Sequence, residues 1–265
     1  MDFPDYATLK TETAAPHVLL VTLNRPEIAN ALNTQMGRDF LDLWTRLTED
    51  AGEVRCVVLT GAGDKVFCAG ADLKERKGMT RDQWQRQHEL FERHYWALAD
   101  LPVPVIAAVN GHAYAGGFEA VLSCDFAYAV NTARFALTEV TLGIMPGAGG
   151  TQNLPRAVGE RRAKEIIMTA RPFSAQQALA WGVVNEVCLA GELMPKVLET
   201  ASAIAGNAPL SIRQVKKSVR YGMQMELKTA YRFEVEAYNH LVETEDRHEG
   251  INAYNEKRKP VFKGK

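Results

Sequence analysis

The alternation of apolar and polar positions changes character near residue 150. Before that point, short β-branched runs alternate with stretches in which apolar residues recur every three or four positions. Residues 17–23 (HVLLVTL) predict a strand, and Asn24-Arg25-Pro26 a turn after it. Met36, Phe40, Leu43, Trp44 and Leu47 recur at helical spacing, so a helix runs to Asp50 with Asn33 or Thr34 as its cap. Residues 54–60 (VRCVVLT) predict a second, buried strand that leads into Gly61-Ala62-Gly63 and then 67–72 (FCAGAD). The charged segment 74–82 reads as a loop or lid. Thr80 caps a helix to Asp100 with Trp84, Phe91, Tyr95 and Leu98 on one side. After Pro102 and Pro104 come a strand at 105–109, a loop at 111–117, a short helix at 117–124, and two short strands at 125–130 and 133–137.

Beyond Gly150 the spacing is helical. Helices are predicted at 159–170, 174–181, 191–206, 209–222, 225–243 and 245–256, with one strand at 183–187. The pattern therefore predicts an α/β fold over 1–200 and a helical region over 201–265. The tail carries Tyr221, Met223, Met225, Tyr231, Phe233, Tyr238 and Leu241 on several faces, more than one solvated helix face accommodates. They pack either on the main domain or on another subunit.

Composition narrows the classes. With 46% apolar residues in 265, the chain has ample core. Its 31 basic and 32 acidic residues balance, and no basic stripe is interleaved with aromatics, so neither nucleic acid nor an anionic membrane is an expected partner. The basic C-terminal end (Lys257, Arg258, Lys259, Lys263, Lys265) is either a solvated tail or a phosphate contact. Cys56, Cys68, Cys124 and Cys188 form no CxxC pair and read as free thiols in a reducing compartment. The first ten residues lack a basic and an apolar region of the signal-peptide kind, and no apolar run is long enough to span a bilayer, so a cytoplasmic location is expected. Gly61-Ala62-Gly63 lacks the third glycine of a dinucleotide fingerprint. There is no P-loop, no GxSxG, and no histidine spacing that suits a metal, so no metal or separate cofactor is expected.

Candidate chemistry centres on residues 107–150. Glu119 and Glu139 each sit among apolar and small residues, where a carboxylate is costly to bury unless something uses it. Gly116-Gly117 opens a helix and leaves free backbone N–H groups at its positive end, and 68–72 (CAGAD) offers a second such turn. Each glycine pair alone is compatible with a tight turn, and each glutamate alone with a hydrogen-bonded structural role. Together they suit an oxyanion hole beside two carboxylates that divide acid and base work at an activated carbonyl.

At these residues the chain resembles the crotonase (enoyl-CoA hydratase/isomerase) family. The resemblance is carried by Leu23-Asn24-Arg25-Pro26 with Asn30-Ala31-Leu32, by 67–73, by 111–119 with Cys124-Asp125, by 135–139 with Leu142-Gly143 and 146–152, and by 256–262. It implies a spiral of ββα units, a C-terminal helical region used for trimerisation, and a homotrimer or a homohexamer of paired trimers. It implies a lyase of fatty acid metabolism and β-oxidation, whose acyl-CoA thioester substrate brings its own coenzyme A. Carried over by position, the Ala71 and Gly116 amides form the oxyanion hole. Lys65, Ala69, Ala71, Asp72, Leu73, Lys74, Gly116, Tyr254 and Lys257 line the coenzyme A site, Lys257 reaching it from a neighbouring subunit. Glu139 protonates C2 of a trans-2-enoyl-CoA, and Glu119 activates the water that adds at C3. The acyl pocket includes the 74–90 region. Retention of both glutamates favours hydration over double-bond isomerisation or a branched or carnitine-type specialisation. A non-catalytic acyl-CoA- or RNA-binding protein is the alternative of another class. Four departures stand out: Ala115 where a glycine is common, with little loss expected; Phe118, bulky enough to reshape the pocket; Glu27 in place of a basic residue; and Thr138 in place of a proline.

Overall fold

The computed structural model describes residues 3–265. Strands β1 (Leu9–Ala15) and β2 (Val18–Leu23) form an antiparallel hairpin. From β2 onward the main sheet is parallel and continues through β3 (Cys56–Gly61), β5 (Val105–Val109), β7 (Phe126–Val130) and β10 (Glu186–Cys188). β3 and β5 are buried along their whole length, as strands covered on both faces must be. β1 lies at the edge, and its LKTETAA sequence has no apolar run, which hides it from periodicity.

A second, smaller sheet carries the site. Its order is β4 (Val66–Cys68), β6 (His112–Tyr114), β8 (Arg134–Ala136) and β9 (Phe173–Ser174), with the first three parallel. Each of three successive units gives its long strand to the large sheet, its short strand to the small one, and then a helix. β3 and β4 lead into α2 (Leu73–Arg76) and α3 (Arg81–Ala99), β5 and β6 into α4 (Gly116–Ser123), and β7 and β8 into α5 (Gly150–Val158). This is the expected ββα spiral. The stretch 61–72, to which the sequence pattern assigns no strand, and the expected loop 111–117 hold β4 and β6, whose three residues each are too few to show a period of two.

α1 (Thr34–Glu49) packs on α3 and buries Met36, Phe40, Leu43, Trp44 and Leu47. Asn33 is its cap, accepting a hydrogen bond from the Met36 N–H at 2.9 Å. α5 was not predicted, because its first turn is glycine-rich and Pro155 lies inside it.

After α6 (Glu160–Thr169) and α7 (Ala175–Ala180), helix α8 (Leu193–Ala205) buries Leu193, Val197, Ala201 and Ala205 in the main core. A division at residue 200 would cut this helix, so the helical region begins after Gly206. It comprises α9 (Pro209–Gly222), α10 (Leu227–Val242) and α11 (Glu245–Glu256). α9 and α10 pack on each other and are tied to the core by Lys216–Asp125 and Arg220–Asp100 ion pairs. They still leave Val215, Val219, Leu227, Tyr231, Val235 and Tyr238 exposed. No helix among the described residues is long and apolar enough to cross a membrane, and all four cysteines are free.

Candidate active site

The parallel order β4-β6-β8 brings three distant segments to one place, because the chain leaves all three strands at the same end of the small sheet. Ala71 lies three residues past Cys68, Gly116 two past Tyr114, and Glu139 three past Ala136, where those strands end. Neighbouring strands are about 4.8 Å apart. The backbone turns of the first two segments are therefore in contact, and a β-carbon at Gly70 would stand 3.2 Å from the Gly116 nitrogen and 2.7 Å from the Ala115 β-carbon. With φ at +91°, Gly70 must be glycine on both counts.

The Ala71 amide is oriented by its neighbours. Leu32 donates to the Gly70 carbonyl and accepts from the Asp72 amide, both at 2.8 Å, and this parallel bridge turns the Ala71 N–H away from Leu32. The Asp72 carboxylate caps α2 through the Lys74 and Glu75 amides and pairs with Arg25 at 3.1 Å. Arg25 in turn donates to the Ala31 carbonyl. Asp72, expected as a substrate contact, thus has its side chain and its amide committed to holding the loop. Asn30, fully buried, donates to the Ala62 and Val66 carbonyls and ties the same loop to the strand before it.

Gly116 is the first residue of α4, so its N–H has no partner within the helix. Ala115 before it has φ +48° and ψ −127°, a region that residues with a β-carbon rarely occupy. The N–H survives the replacement of glycine by alanine, as expected, but the backbone there is strained. The buried Tyr95 hydroxyl donates to the Gly116 carbonyl at 2.6 Å and fixes the next peptide. Sequence reasoning placed Tyr95 only on the apolar face of its helix.

Glu119 stands one turn into α4 and is 3% exposed. Its Oε1 accepts from the Ala148 amide at 2.9 Å and the Gly150 amide at 2.8 Å. Burial raises its pKa, and these two amides oppose the rise. Both donors were missed as such, although the 146–150 run (PGAGG) was noted as a motif; backbone donors have no residue signature beyond the glycines that let the chain approach. Glu139 opens a 3-10 turn (Glu139–Leu142) after β8 and is 8% exposed. Its Oε2 is buried without a hydrogen-bond partner. Burial, with repulsion from Glu119 adding to it, pushes its pKa up to about 7 against the pull of its own amide. One carboxylate is thus held by two donors, and the other is poised to carry a proton near neutrality. That division suits a base and an acid acting on one substrate.

The remaining expected contacts surround this centre unevenly. Lys65, Ala69, Leu73 and Lys74 are exposed between the residue before β4 and the first turn of α2. Tyr254 and Lys257 are exposed on and just after α11, and neither is hydrogen-bonded to the 65–74 segment. Phe118 does not reshape the pocket. It is fully buried on the other side of α4, with its ring 5.3 Å from Phe135 and 5.7 Å from Phe173. Glu27 is exposed, and Thr138 precedes the 3-10 turn with its carbonyl accepting from Thr141.

The chain is similar to known proteins over nearly its whole length. A family model described as "Enoyl-CoA hydratase/isomerase" matches residues 13–265. The short-chain-enoyl-CoA hydratase of Clostridium acetobutylicum is 43% identical over 91% of this chain and 92% of its own. The crotonyl-CoA hydratase of Syntrophomonas wolfei is 38% identical with the same coverage, 91% and 92%. The crystal structure of an enoyl-CoA hydratase from Bacillus anthracis superposes with a TM-score of 0.95 at 44% identity, covering 97% of this chain and 100% of that one.

Proposed function

Because the chain belongs to the enoyl-CoA hydratase/isomerase family, we propose that it catalyses the reversible addition of water to a trans-2-enoyl-CoA, giving the 3-hydroxyacyl-CoA. The observation that carries this reading is the pair of buried glutamates with opposite settings. Glu119 is fastened by the Ala148 and Gly150 amides, and Glu139 has an unpartnered oxygen and a pKa near 7.

The thioester carbonyl oxygen accepts from the Ala71 and Gly116 amides, which polarises the C2=C3 bond and takes up the negative charge that moves to the oxygen as water adds. Glu119, ionised, removes a proton from the water that bonds to C3. Glu139, protonated, delivers a proton to C2 as the enolate collapses. One water is consumed, leaving Glu119 protonated and Glu139 ionised, and both are reset when a proton passes from Glu119 to Glu139, directly or through solvent, before the next turnover. Coenzyme A is part of the substrate, and no further cofactor enters. Lys65, Leu73 and Lys74 on the β4 side, with Tyr254 and Lys257 from a neighbouring subunit, would meet the nucleotide end. The exposed apolar residues of α9 and α10 support assembly as a trimer or paired trimers, and a cytoplasmic location fits the free cysteines.

The test is loss of enoyl-thioester absorbance on mixing the protein with crotonyl-CoA. Glu119→Gln and Glu139→Gln should each lower turnover at least about a hundred-fold with the fold retained. Unchanged hydration in Glu119→Gln would refute the two-carboxylate mechanism. Migration of the double bond in 3-enoyl-CoA without hydration would make the protein an isomerase. Light scattering should give a mass of three or six times 29.3 kDa.

A further inference from the structure

Arg76, at the end of α2, has surroundings unlike those of the other half-buried arginine near the site. Arg25 is neutralised by Asp72. Arg76 has no carboxylate within 4.0 Å among the described residues. Its guanidinium is stacked 4.2 Å from the Trp84 ring centre and 5.6 Å from that of Phe91, and its Nε donates to Gln87 Oε1 at 2.8 Å. The adjacent Glu75 is already engaged: its Oε2 accepts from the Thr34 amide at 2.9 Å and from Gln87 Nε2 at 2.8 Å. Gln87, which is buried, is itself fixed by Thr34 Oγ1 at 2.8 Å. The fork of Arg76 is therefore aimed by three neighbours while its two terminal nitrogens remain unspent. Burial disfavours its charge; Tyr95 and the Glu75 carboxylate, which is hydrogen-bonded elsewhere, oppose this only in part, and no anion pairs directly with the guanidinium.

The same helix face leads to the reacting centre. Trp84, His88, Phe91 and Tyr95 follow one another along α3 at spacings of three or four. At the inner end, Tyr95 bonds the Gly116 carbonyl. Midway, the His88 ring lies against Gly147, where an added β-carbon would meet it at 2.6 Å, so α3 abuts the segment whose amides hold Glu119. At the outer end stands Arg76. With about 1.5 Å of rise per residue, the turn of α3 under Arg76 lies on the order of 10 Å from Tyr95, within reach of a short acyl chain whose thioester sits at Gly116.

We propose that Arg76 is a specificity residue that binds a second carboxylate at the far end of the acyl chain, so that the preferred substrate is a short 2-enoyl-CoA derived from a dicarboxylic acid. This rests on the enoyl-CoA hydratase reading above. A planar guanidinium held on an aromatic ring matches a carboxylate through two parallel N–H donors, and a methyl group in its place leaves those donors unpaired. A phosphate of coenzyme A presents the same anionic oxygens, but it is common to every thioester and confers no preference among acyl groups.

The experiment compares crotonyl-CoA with glutaconyl-CoA, which differs from it by one terminal carboxylate, and with the six-carbon 2-hexenedioyl-CoA. The wild type should favour at least one of the two dicarboxylate thioesters over crotonyl-CoA by about tenfold or more in kcat/KM. Arg76→Met should lower kcat/KM for that substrate at least about tenfold more than for crotonyl-CoA, mainly through KM. Arg76→Lys, which keeps the charge and loses the fork, should fall between. Equal losses on all substrates, as for a phosphate contact or a structural role, would overturn the proposal, as would a wild type that favours crotonyl-CoA. Calorimetric binding of glutaryl-CoA against butyryl-CoA, to the wild type and both variants, reads the same preference without hydration. It separates failure of this inference from failure of the hydratase reading and also reports whether each variant is folded and binding-competent.

Discussion

Gly150→Ala tests the mechanism at its most exacting contact. Gly150 is the first residue of α5 and has an ordinary helical-side φ, so alanine is compatible with the backbone and favoured in the helix by up to about 1 kcal/mol. The space is not available. The new β-carbon would lie 2.9 Å from the Pro146 β-carbon, 3.0 Å from Glu119 Oε1 and 3.1 Å from Leu137 Cδ1. Of these neighbours the carboxylate is the one whose position matters to catalysis, and relief by several tenths of an ångström lengthens the 2.8 and 2.9 Å bonds that fix it. A hydrogen bond to a charged group contributes about 1.5–3 kcal/mol, so loss of one such contact predicts a kcat lowered by roughly 10- to 100-fold. There is also a signed pH effect. Glu119 is a base only when ionised, so activity rises with pH through its pKa. Burial has already raised that pKa and the two amides hold it down; weakening them raises it further and moves the rising limb of the kcat/KM profile to higher pH. Stopped-flow hydration of crotonyl-CoA across pH, with a thermal melt as control, measures both. A kcat within about twofold of wild type with an unmoved limb would mean that these amides do not set the base.

Three further outcomes follow from the same structure. Glu139 has a pKa raised from 4.5 to about 7, so the stability it allows is fully present below pH 4.5 and lost as pH rises through 7; allowing for the water that still reaches it, Glu139→Gln should gain about 2 kcal/mol over wild type in urea unfolding at pH 8 and little at pH 4.5, and a gain independent of pH would contradict the shift. His94 is buried between Phe40 and Tyr95 with neither nitrogen bonded, and burial lowers its pKa from 6.5 to about 3. Its neutral form is stable above pH 6.5, and on the order of 4–5 kcal/mol is lost as pH falls to 3, so His94→Leu should move the acid-unfolding midpoint, followed by circular dichroism, to lower pH. Ala115→Gly relieves a backbone strain of about 1–3 kcal/mol against a smaller loss of chain entropy, and should raise Tm by about 2 °C with hydration retained; a lowered Tm would show that the strain is not released.

What could be read from the sequence depended on how much chain each feature occupies. The long strands, the caps at Asn33 and Thr80, and the helices after residue 159 rest on many residues and were legible. The two glutamates were legible because a carboxylate within an apolar run is conspicuous, and the family motifs tied Ala71 and Gly116 to them. The short strands β4 and β6 escaped because three residues carry no period. α5 escaped because glycines and Pro155 disguise it, and β1 because an edge strand can be polar. The commitment of Asp72 to Arg25, and the turning of Phe118 into the Phe135–Phe173 cluster, depend on partners as far as 55 positions away in the chain, which no local pattern records.

These absences have a common physical origin. The reacting groups hang from the ends of β4, β6 and β8, and those strands can be short because the parallel order of the long strands beside them already fixes where they lie. The surrounding core over-determines the site, which is why it tolerates features that would be unfavourable elsewhere: a non-glycine at φ +48° in Ala115, an unpartnered oxygen on Glu139, and a second buried carboxylate beside it. Arg76 belongs to a different layer. It stands on the excursion between β4 and β5, outside the small sheet, and is fixed by Gln87, Trp84 and Phe91 rather than by strand register. The proton-transfer geometry therefore does not depend on where that guanidinium points. The choice of acyl group can therefore change through α2 and α3 alone while the oxyanion donors and both glutamates keep their places.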